Sequence, residues 1–413
     1  MRHVIVGGSI AGISAAKEIR GNDMKAEITV ISAEKARAYY RPMIPSLIEK
    51  DGVDITFAED PLEKYAAQAV YGTVRSIDVS SREVFLSSGK KRAYDKLLIA
   101  TGSSPLIPDI PGLRGADMFP LRTMEDALSI KSSAKNKERA VVIGGGFVGT
   151  KASIALRRLG LRVTMVEQCG QILPQRLDRR GARIVADIMR KKGIGIMTND
   201  KVSEIIRSAG ALKSVRLASG GVLDADVVVV AAGAKPNVDA FRDSGIRMNR
   251  GILINESLQT SVPDVYAAGD VVEYVDLLSQ KPAVSALWTN AEEMGRIAGR
   301  NMTGGNIKYQ GFLSVMNAAE IFDVPVMSIG LIEPEEKEYE IIVEDTMDTY
   351  RKLVFKGDVL VGVLFIGEVS NAGIYTNLIR NRIPIGSLKE EAIHGTLSYI
   401  NFVSTVPAKT LTV

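Results

Sequence analysis

Apolar residues occur in two kinds of stretch along the chain, short continuous runs and longer segments with helical spacing. The run Arg2–Val6 leads into a glycine-rich turn and then into a segment whose apolar positions, through Ala16 and Ile19, have helical spacing. The same order of run, turn and helical segment recurs at residues 140–159. A strand, a tight turn and a helix form the repeating unit of parallel sheets, so the pattern predicts two α/β units.

Further runs extend both units and add a third region. The longest apolar stretch, residues 227–234, indicates a buried strand. Short strands close to the first unit are typical of an antiparallel insertion; we predict them at residues 70–78, 83–87 and 96–100. The remaining strands are predicted at residues 27–31, 162–166, 326–330, 340–343, 350–355 and 359–367, and the remaining helices at residues 283–302 and 372–380.

The composition is that of a soluble globular protein with two or three domains. The chain has 413 residues, of which 46% are hydrophobic and 24% charged. No apolar run is long enough to cross a bilayer, and the first residues form a strand rather than a secretory signal, so we expect a cytoplasmic location without membrane contact. The net charge of +4 favours acidic partners slightly, or is only a solvated surface, and gives no sign of nucleic-acid binding.

Cysteine and histidine are scarce, which excludes several kinds of site. Cys169 is the only cysteine, and the histidines are His3 and His394. A structural disulfide, a thiolate zinc site and a protein-ligated iron–sulfur cluster each need more cysteines than one. We therefore predict no metal site, and any iron–sulfur centre must lie on a partner.

The first glycine turn has the sequence Gly7-Gly8-Ser9-Ile10-Ala11-Gly12. Gly7 permits a tight turn and Gly12 permits close helix packing, while the helix N-terminus faces a pyrophosphate; Ser9 replaces the middle glycine of the usual pattern. Glu34 lies where an acidic side chain would hold ribose hydroxyls, and Ser32 is an alternative for that contact.

The second turn, Gly144-Gly145-Gly146-Phe147-Val148-Gly149, opens an equivalent unit. Its second strand ends at Glu167, whose carboxylate would accept hydrogen bonds from a free 2′-hydroxyl and repel a 2′-phosphate, so this site should prefer NADH over NADPH. One such glycine turn is weak evidence. Two turns, each followed by a suitably placed glutamate, predict that two dinucleotides bind.

Three further segments, residues 94–105, 226–237 and 260–270, complete a resemblance that covers nearly the whole chain. The chain resembles the two-dinucleotide flavoprotein reductases, which include pyridine nucleotide–disulfide oxidoreductases, NADH:rubredoxin reductases and ferredoxin reductases. The resemblance implies FAD at the first turn and NADH at the second. The implied FAD contacts are Gly7, Gly8, Ser9, Ala11, Gly12, Glu34, Arg41, Pro42, Val74, Ala100, Thr101, Gly102, Arg122, Gly269, Asp270 and Trp288, and the implied NAD contacts are Gly144, Gly146, Phe147, Val148, Gly149, Glu167, Ala232 and Gly233.

Several of these residues have implied roles with plain alternatives. Asp270 would hold the ribityl chain of the flavin or serve only as a cap, and Trp288 would flank the isoalloxazine or belong to the core. Arg41, in Tyr40-Arg41-Pro42, would reach the FAD pyrophosphate or lie at the surface, with Arg122 as a second arginine near the flavin. The N-terminus of the helix at residues 283–302 would point at the flavin pyrimidine ring.

The chain departs from the family pattern in two ways. No cysteine follows Arg41, and Cys169 belongs beside the NAD site as a bystander, so thiol chemistry is excluded and His394 has no proton to shuttle there. Lys151 stands where many relatives carry a glutamate that contacts the nicotinamide. It is a candidate near the nicotinamide, or it pairs with Glu167, Glu292 or another acid, or it points to solvent.

The expected fold is α/β, with two Rossmann-like, three-layer ββα domains and an α+β C-terminal interface domain. We predict a discontinuous FAD domain (residues 1–112 and 240–312), an inserted NAD domain (113–239) and a C-terminal domain (313–413) for dimer or partner contacts. The predicted enzyme passes a hydride from NADH to FAD N5 and then electrons to an external acceptor. Positioning of the two cofactors supplies most of the rate, because the hydride chemistry belongs to the cofactors.

Three interpretations of the acceptor stay open. It is a small acidic redox protein such as rubredoxin or ferredoxin, or the chain is the NADH-reacting subunit of a larger Fe–S oxidoreductase, with NADH oxidase activity as a variant or side reaction. The third interpretation belongs to a different functional class: the chain is a flavin-binding interaction protein with little turnover. The lysine at position 151, in place of the family's glutamate, would explain the low turnover.

Overall fold

A computed structural model of the chain describes residues 1–115, 117–335 and 338–398, which form three units, each built on one sheet of five strands. Residues 399–413 of the predicted C-terminal domain lie outside the described residues. The fold class predicted from the sequence is confirmed, because two of the sheets are parallel and the C-terminal one is antiparallel. The domain boundaries stay a prediction.

The first unit has a parallel sheet in the strand order β19-β7-β1-β2-β3, and apolar side chains from its strands are buried beneath helices. The strands are β1 (Arg2–Val6), β2 (Glu27–Ser32), β3 (Gln68–Tyr71), β7 (Lys96–Ile99) and β19 (Val265–Ala267). The helices are α1 (Ile10–Asn22), α3 (Pro61–Lys64) and α7 (Trp288–Met302), and α1 packs against α7. Helix α2 (Ile44–Glu49) packs against helices of the second unit, and its buried side chains belong to the core of that unit.

Two small sheets accompany this unit. One is an antiparallel meander of β4 (Val74–Asp78), β5 (Glu83–Leu86) and β6 (Lys91–Ala93). The other consists of β18 (Ile252–Leu253), β20 (Val272–Val275) and β21 (Pro282–Val284). A single 3₁₀ turn occupies Arg41–Met43, and a longer 3₁₀ segment occupies Asp239–Ser244.

The second unit has a parallel sheet in the order β12-β11-β10-β16-β9. Its strands are β9 (Met118–Pro120), β10 (Arg139–Ile143), β11 (Arg162–Val166), β12 (Ile194–Met197) and β16 (Val227–Val230), and its helices are α4 (Met124–Ala134), α5 (Phe147–Arg158) and α6 (Arg179–Lys191). An antiparallel sheet joins it, formed by β13 (Val202–Ser208), β14 (Ala211–Leu217) and β15 (Val222–Asp224).

The chain crosses between these two units twice, and the two crossings pair with each other. The two crossing segments, β8 (Ser103–Pro105) and β17 (Ala234–Pro236), run antiparallel and form a two-stranded ribbon that connects the units.

The C-terminal unit is an antiparallel sheet in the order β22-β23-β26-β25-β24 with two helices. Its elements are β22 (Met316–Ile321), β23 (Val324–Gly330), β24 (Tyr339–Asp345), β25 (Tyr350–Lys356), β26 (Val359–Ile366), α8 (Ala372–Asn381), a 3₁₀ turn at Gly386–Leu388 and α9 (Lys389–His394).

A buried polar cluster fastens this C-terminal sheet to α6. Asp178 caps α6 by accepting from the Gly181 N–H (2.8 Å), and its other oxygen accepts from Tyr350 Oη (2.7 Å) and Lys352 Nζ (2.9 Å) on β25. Nearby, Arg180 makes a two-pronged ion pair with Asp345 at a more exposed position (2.6 and 2.9 Å). Helix α6 is thus held against the C-terminal unit by one buried and one exposed ion pair.

Three predicted elements are wrong. The predicted strand 70–78 is two strands in different sheets, because Gly72, with φ of +159°, turns the chain between β3 and β4. Strand β7 pairs within the parallel sheet rather than the meander, whose third strand is β6. The helix predicted at residues 283–302 starts only at Trp288, because residues 282–284 pair with β20. Strand β22 and helix α9 lacked a clear pattern and were not predicted.

Candidate functional site

The first glycine turn joins β1 to α1 with little room for side chains. Gly7 has φ of +128°, and a Cβ at this position would lie 2.0 Å from the Ala100 carbonyl oxygen. A Cβ at Gly12 would lie 1.9 Å from the Gly7 carbonyl oxygen. Gly8 and Ala11 complete the turn, so the free N–H groups at the start of α1 face outward from a closely packed strand and helix.

Arg41 lies above this turn. Its guanidinium donates to Ser9 Oγ (3.3 Å), to the Arg122 carbonyl oxygen (3.1 Å) and to Glu34 Oε1 (2.6 Å). Tyr39 Oη donates to the second Glu34 oxygen (2.5 Å), so Glu34 is held in place at the end of β2. The structure therefore brings Arg41, Ser9 and Glu34 together, although sequence reasoning gave them separate contacts.

Asp270 forms a second polar cluster next to the same turn. Its side chain is buried, and Oδ2 accepts from Ser103 Oγ (2.9 Å) and Arg122 Nη2 (2.7 Å). Gly269, with φ of +81°, allows this loop to approach α1, since a Cβ there would lie 3.2 Å from the Ala11 Cβ. Arg122 links the two clusters, because its carbonyl oxygen accepts from Arg41 while its guanidinium donates to Asp270.

Aromatic rings border this region. Trp288 is the first residue of α7, and its ring centroid lies 6.1 Å from that of Tyr40, which lies 4.4 Å from that of Phe57. Tyr40 and Pro42 are exposed. Trp288 is half-buried, so it is neither a fully buried core residue nor free at the surface.

The remaining first-unit candidates lie at strand ends. Val74 begins β4, two residues after Gly72, whose N–H donates to the Ser32 carbonyl oxygen (2.8 Å). Ala100, Thr101 and Gly102 follow β7.

Asn237, to which the sequence gave no role, fixes this region to the connecting ribbon. Thr101 Oγ1 donates to the Asn237 carbonyl oxygen (2.9 Å), and Asn237 Nδ2 donates to the Thr101 carbonyl oxygen (2.9 Å). Its side-chain oxygen accepts from Ser104 Oγ (2.7 Å). The signal in the sequence was only an amide directly after the second crossing.

The second turn repeats the first in detail. A Cβ at Gly149 would lie 1.9 Å from the Gly144 carbonyl oxygen, and Gly144 itself has φ of +106°. A Cβ at Gly146 would meet no atom within 4 Å, so open space lies in front of this glycine. Phe147 and Val148 begin α5, with the Val148 side chain 48% exposed. The exposed Val148 side chain therefore leaves apolar surface beside this glycine turn.

Glu167 is buried and holds the second turn in shape. Its Oε2 accepts from the Gly145 N–H (2.6 Å) and its Oε1 accepts from the Cys169 N–H (2.7 Å). Each carboxylate oxygen keeps a lone pair for a ribose hydroxyl. Ala232 and Gly233 are exposed after β16, with Gly233 at φ of +121°.

Lys151 contacts neither Glu167 nor Glu292, so those two predicted pairings are wrong. Its Nζ donates to the backbone carbonyl oxygen of Glu320 on β22 (2.6 Å). Burial lowers the pKa of Lys151. The side chain therefore connects α5 to the C-terminal sheet, a partner 169 positions away in sequence that no local pattern indicates.

Both turns fit a dinucleotide. Each combines a closely packed glycine pair, free N–H groups at a helix start and an acidic side chain at the end of the next strand. Within the described parts of the chain, no three His, Cys, Asp or Glu side chains are grouped to hold a metal ion, and no helix is long and apolar enough to span a bilayer.

Comparisons with known proteins agree with this geometry. Residues 1–295 match the family described as pyridine nucleotide-disulphide oxidoreductase, and residues 316–383 match the rubredoxin NAD+ reductase C-terminal domain. The crystal structure of NADH:rubredoxin oxidoreductase from Clostridium acetobutylicum is 30% identical, with a TM-score of 0.78, and the match covers 96% of this chain and 99% of that one.

The names of two other relatives describe subunits of other enzymes. The phenylglyoxylate dehydrogenase subunit epsilon of Aromatoleum evansii, described as NADH-dependent, is 29% identical over 96% of each chain. The assimilatory nitrate reductase electron transfer subunit of Bacillus subtilis is 30% identical over 99% of this chain, which spans about half (53%) of that relative's length. The chain belongs to the pyridine nucleotide-disulphide oxidoreductase family.

Proposed function

We propose that the chain transfers electrons from NADH, through FAD, to a small acidic redox protein such as rubredoxin or ferredoxin. The observation that carries the proposal is the match of residues 316–383 to the C-terminal domain of rubredoxin reductases, a part of the chain outside both dinucleotide turns. The single cysteine supports it, because Cys169 donates its N–H to Glu167 at the second turn and no thiol relay beside the first turn is available.

The residues would divide the work as follows. Arg41 and the first turn would hold the FAD pyrophosphate, Glu34 its ribose and Asp270 its ribityl chain. Bound FAD supplies a two-electron acceptor for the nicotinamide hydride and a donor of single electrons. Glu167 and the second turn would hold the NADH ribose and pyrophosphate, so that the nicotinamide end is positioned rather than chemically activated.

Three further contacts belong to the proposal. The N-terminus of α7, at Trp288, would place a partial positive charge beside the flavin ring. Lys151 would support nicotinamide docking through its link to β22 rather than by direct contact. A homodimer through the C-terminal unit stays a prediction.

Anaerobic titration of the purified holoprotein, followed in the visible flavin band, tests the first half of the proposal. We expect stoichiometric bleaching by NADH and slower bleaching by NADPH. Reduced protein mixed with rubredoxin or ferredoxin should then reoxidise at a rate that saturates with acceptor concentration. A flavin that stays oxidised with both nucleotides would contradict the reductase assignment itself.

The likeness to the phenylglyoxylate dehydrogenase subunit favours a second candidate, an NADH-reacting subunit of a larger Fe–S enzyme. Two measurements distinguish these two candidate functions. Rapid bleaching by NADH with no transfer to either small acceptor, together with co-purification of Fe–S chains from the native source, would support the subunit role over the first proposal.

Substitution of Glu167 by glutamine tests the assignment of the second site. In Gln an NH2 group replaces one of the two carboxylate oxygens, so either the Gly145 or the Cys169 N–H group loses its acceptor, and the side chain carries no charge to repel a 2′-phosphate. We expect kcat/KM for NADH to fall by about fivefold and the NADH-over-NADPH preference to shrink by about tenfold. Steady-state kinetics with both nucleotides measures this, and an unchanged ratio would contradict the ribose role.

A further inference from the structure

The loop between β11 and α6 is attached to the second glycine turn. Leu173 of this loop is buried, and its N–H donates to the Gly145 carbonyl oxygen (2.8 Å). Leu173 and Gln175 have φ of +50° and +62°, in the left-handed region that residues other than glycine rarely adopt. Such strain persists only where the surrounding contacts impose it. The loop that begins at Glu167, the proposed ribose residue, is thus held in a defined conformation.

Arg176 connects the far end of this loop to a segment outside the second unit. Its guanidinium donates to the backbone carbonyl oxygen of Ser314 (2.9 Å), two residues before β22. Arg176 is half-buried, and among the described residues no carboxylate forms an ion pair with it. Burial lowers the pKa of Arg176, and no neighbouring carboxylate opposes that shift. Because a partly buried charge is costly unless it is hydrogen-bonded, the contact with Ser314 is the interaction that compensates this guanidinium.

Ser314 and its neighbour Leu313 are also fastened to the first unit. The Ser314 N–H donates to Oδ2 of Asp276 (2.8 Å), a buried residue directly after β20. The carbonyl oxygen of the same peptide group, that of Leu313, accepts from Nδ2 of Asn290 (3.1 Å). Asn290 is buried in the first turn of α7, two residues after Trp288. One stretch of backbone therefore joins the loop at the second glycine turn to the start of the helix beside the proposed flavin region.

We propose that Arg176 is a positioning residue for the reaction with NADH. Through Ser314 it holds the second unit against the start of α7, and so sets how the NADH site faces the FAD site. Arg176 lies outside the groups assigned to the dinucleotide, so it acts on the placement of the two sites rather than on binding. Misplacement of reacting groups by about 1 Å reduces a rate by about 100-fold, so a loosened unit has a large effect. The inference rests on the proposed function of both sites.

Anaerobic stopped-flow reduction of the FAD-loaded protein at a series of NADH concentrations tests this role. It separates the limiting rate of flavin bleaching from the half-saturating NADH concentration. Arg176→Met removes the hydrogen-bond donor and keeps an unbranched apolar side chain. We expect the limiting rate to fall about tenfold or more, because a hydrogen bond from a charged group is lost, while the half-saturating concentration changes by less than about twofold. Arg176→Lys keeps a charged donor and should restore part of the rate.

Arg157→Met is the matched control. Arg157 is also half-buried, and its guanidinium donates to a backbone carbonyl oxygen, that of Lys192 (3.0 Å), but both residues lie in the second unit. This variant should react with NADH as the wild type does. The comparison distinguishes a contact that bridges two units from the loss of an arginine as such.

Three results would overturn the inference. One is a wild-type limiting rate in Arg176→Met. Another is a raised half-saturating concentration with an unchanged limiting rate, because Arg176 would then act on binding alone. The third is an equal loss of rate in Arg157→Met. Arg176→Gln, whose side chain is too short to keep the contact with Ser314, makes the same test where the methionine variant does not fold. A wild-type flavin that NADH does not bleach contradicts the proposed function as well, so the two failures are distinguishable.

Discussion

Replacement of Asp178 by alanine is expected to lower the free energy of unfolding by about 3–5 kcal/mol, the range found when one partner of a buried ion pair is removed. Lys352 Nζ and Tyr350 Oη would lose their acceptor, and α6 would lose its cap. Because the whole free energy of unfolding of a domain is only about 5–15 kcal/mol, this single change would consume a large part of it.

The exposed pair between the same elements provides the matched control. Arg180→Gln breaks the ion pair with Asp345, but both side chains are partly in water, so we expect a loss of about 1 kcal/mol or less. Urea unfolding followed by circular dichroism measures both variants. A similar small loss for Asp178→Ala would show that water reaches Lys352 and that the cluster is not a buried one.

A double variant separates charge from packing. In Asp178→Asn/Lys352→Met the buried charges disappear together, while the amide oxygen still caps α6. Replacing a buried ion pair by neutral groups is often close to neutral in free energy, so this variant should recover most of the stability lost by Asp178→Ala. Failure to recover would assign the effect to packing of α6 on β25 instead.

The fold was predictable where information is local. The two strand–turn–helix units follow from residue periods and glycine turns, because backbone sterics act over a few residues. The errors came from chain reversals and weak patterns. Gly72 reverses the chain inside an apolar run, and β22, with the sequence Met-Asn-Ala-Ala-Glu-Ile, has too few branched residues to indicate a strand.

In the candidate site, too, the local features were predictable from the sequence and the long-range contacts were not. The glycines and Glu167 follow from spacing, but the two backbone N–H groups that Glu167 accepts from are visible only in the structure. The partners of Lys151 and Asp178 lie 169 to 174 positions away in sequence, so their roles in joining the units depend on tertiary packing that no residue pattern records. Long-range polar contacts, rather than motifs, were the unpredictable part.

Substitution of Gly149 by alanine should strongly impair the reaction with NADH while leaving FAD bound. The added Cβ would lie 1.9 Å from the Gly144 carbonyl oxygen and 3.4 Å from the Ala231 Cβ, so α5 must move away from the turn. Such overpacking costs about 1–3 kcal/mol, which corresponds to a loss of about 5- to 150-fold in kcat/KM for NADH. Stopped-flow measurement of flavin bleaching gives this rate, and reduction by dithionite confirms that the flavin is present.

Two control variants, each with a glycine replaced by alanine, distinguish a clash within the second turn from a general effect of adding a methyl group. In Gly21→Ala, a Cβ meets no atom within 4 Å and lies in α1, so NADH kinetics should not change. In Gly146→Ala the Cβ also meets no protein atom, so the fold stays intact and any loss comes from the space in front of the turn. A wild-type rate with NADH in both Gly149→Ala and Gly146→Ala would show that the dinucleotide does not bind at this turn, because a ligand there cannot avoid both methyl groups.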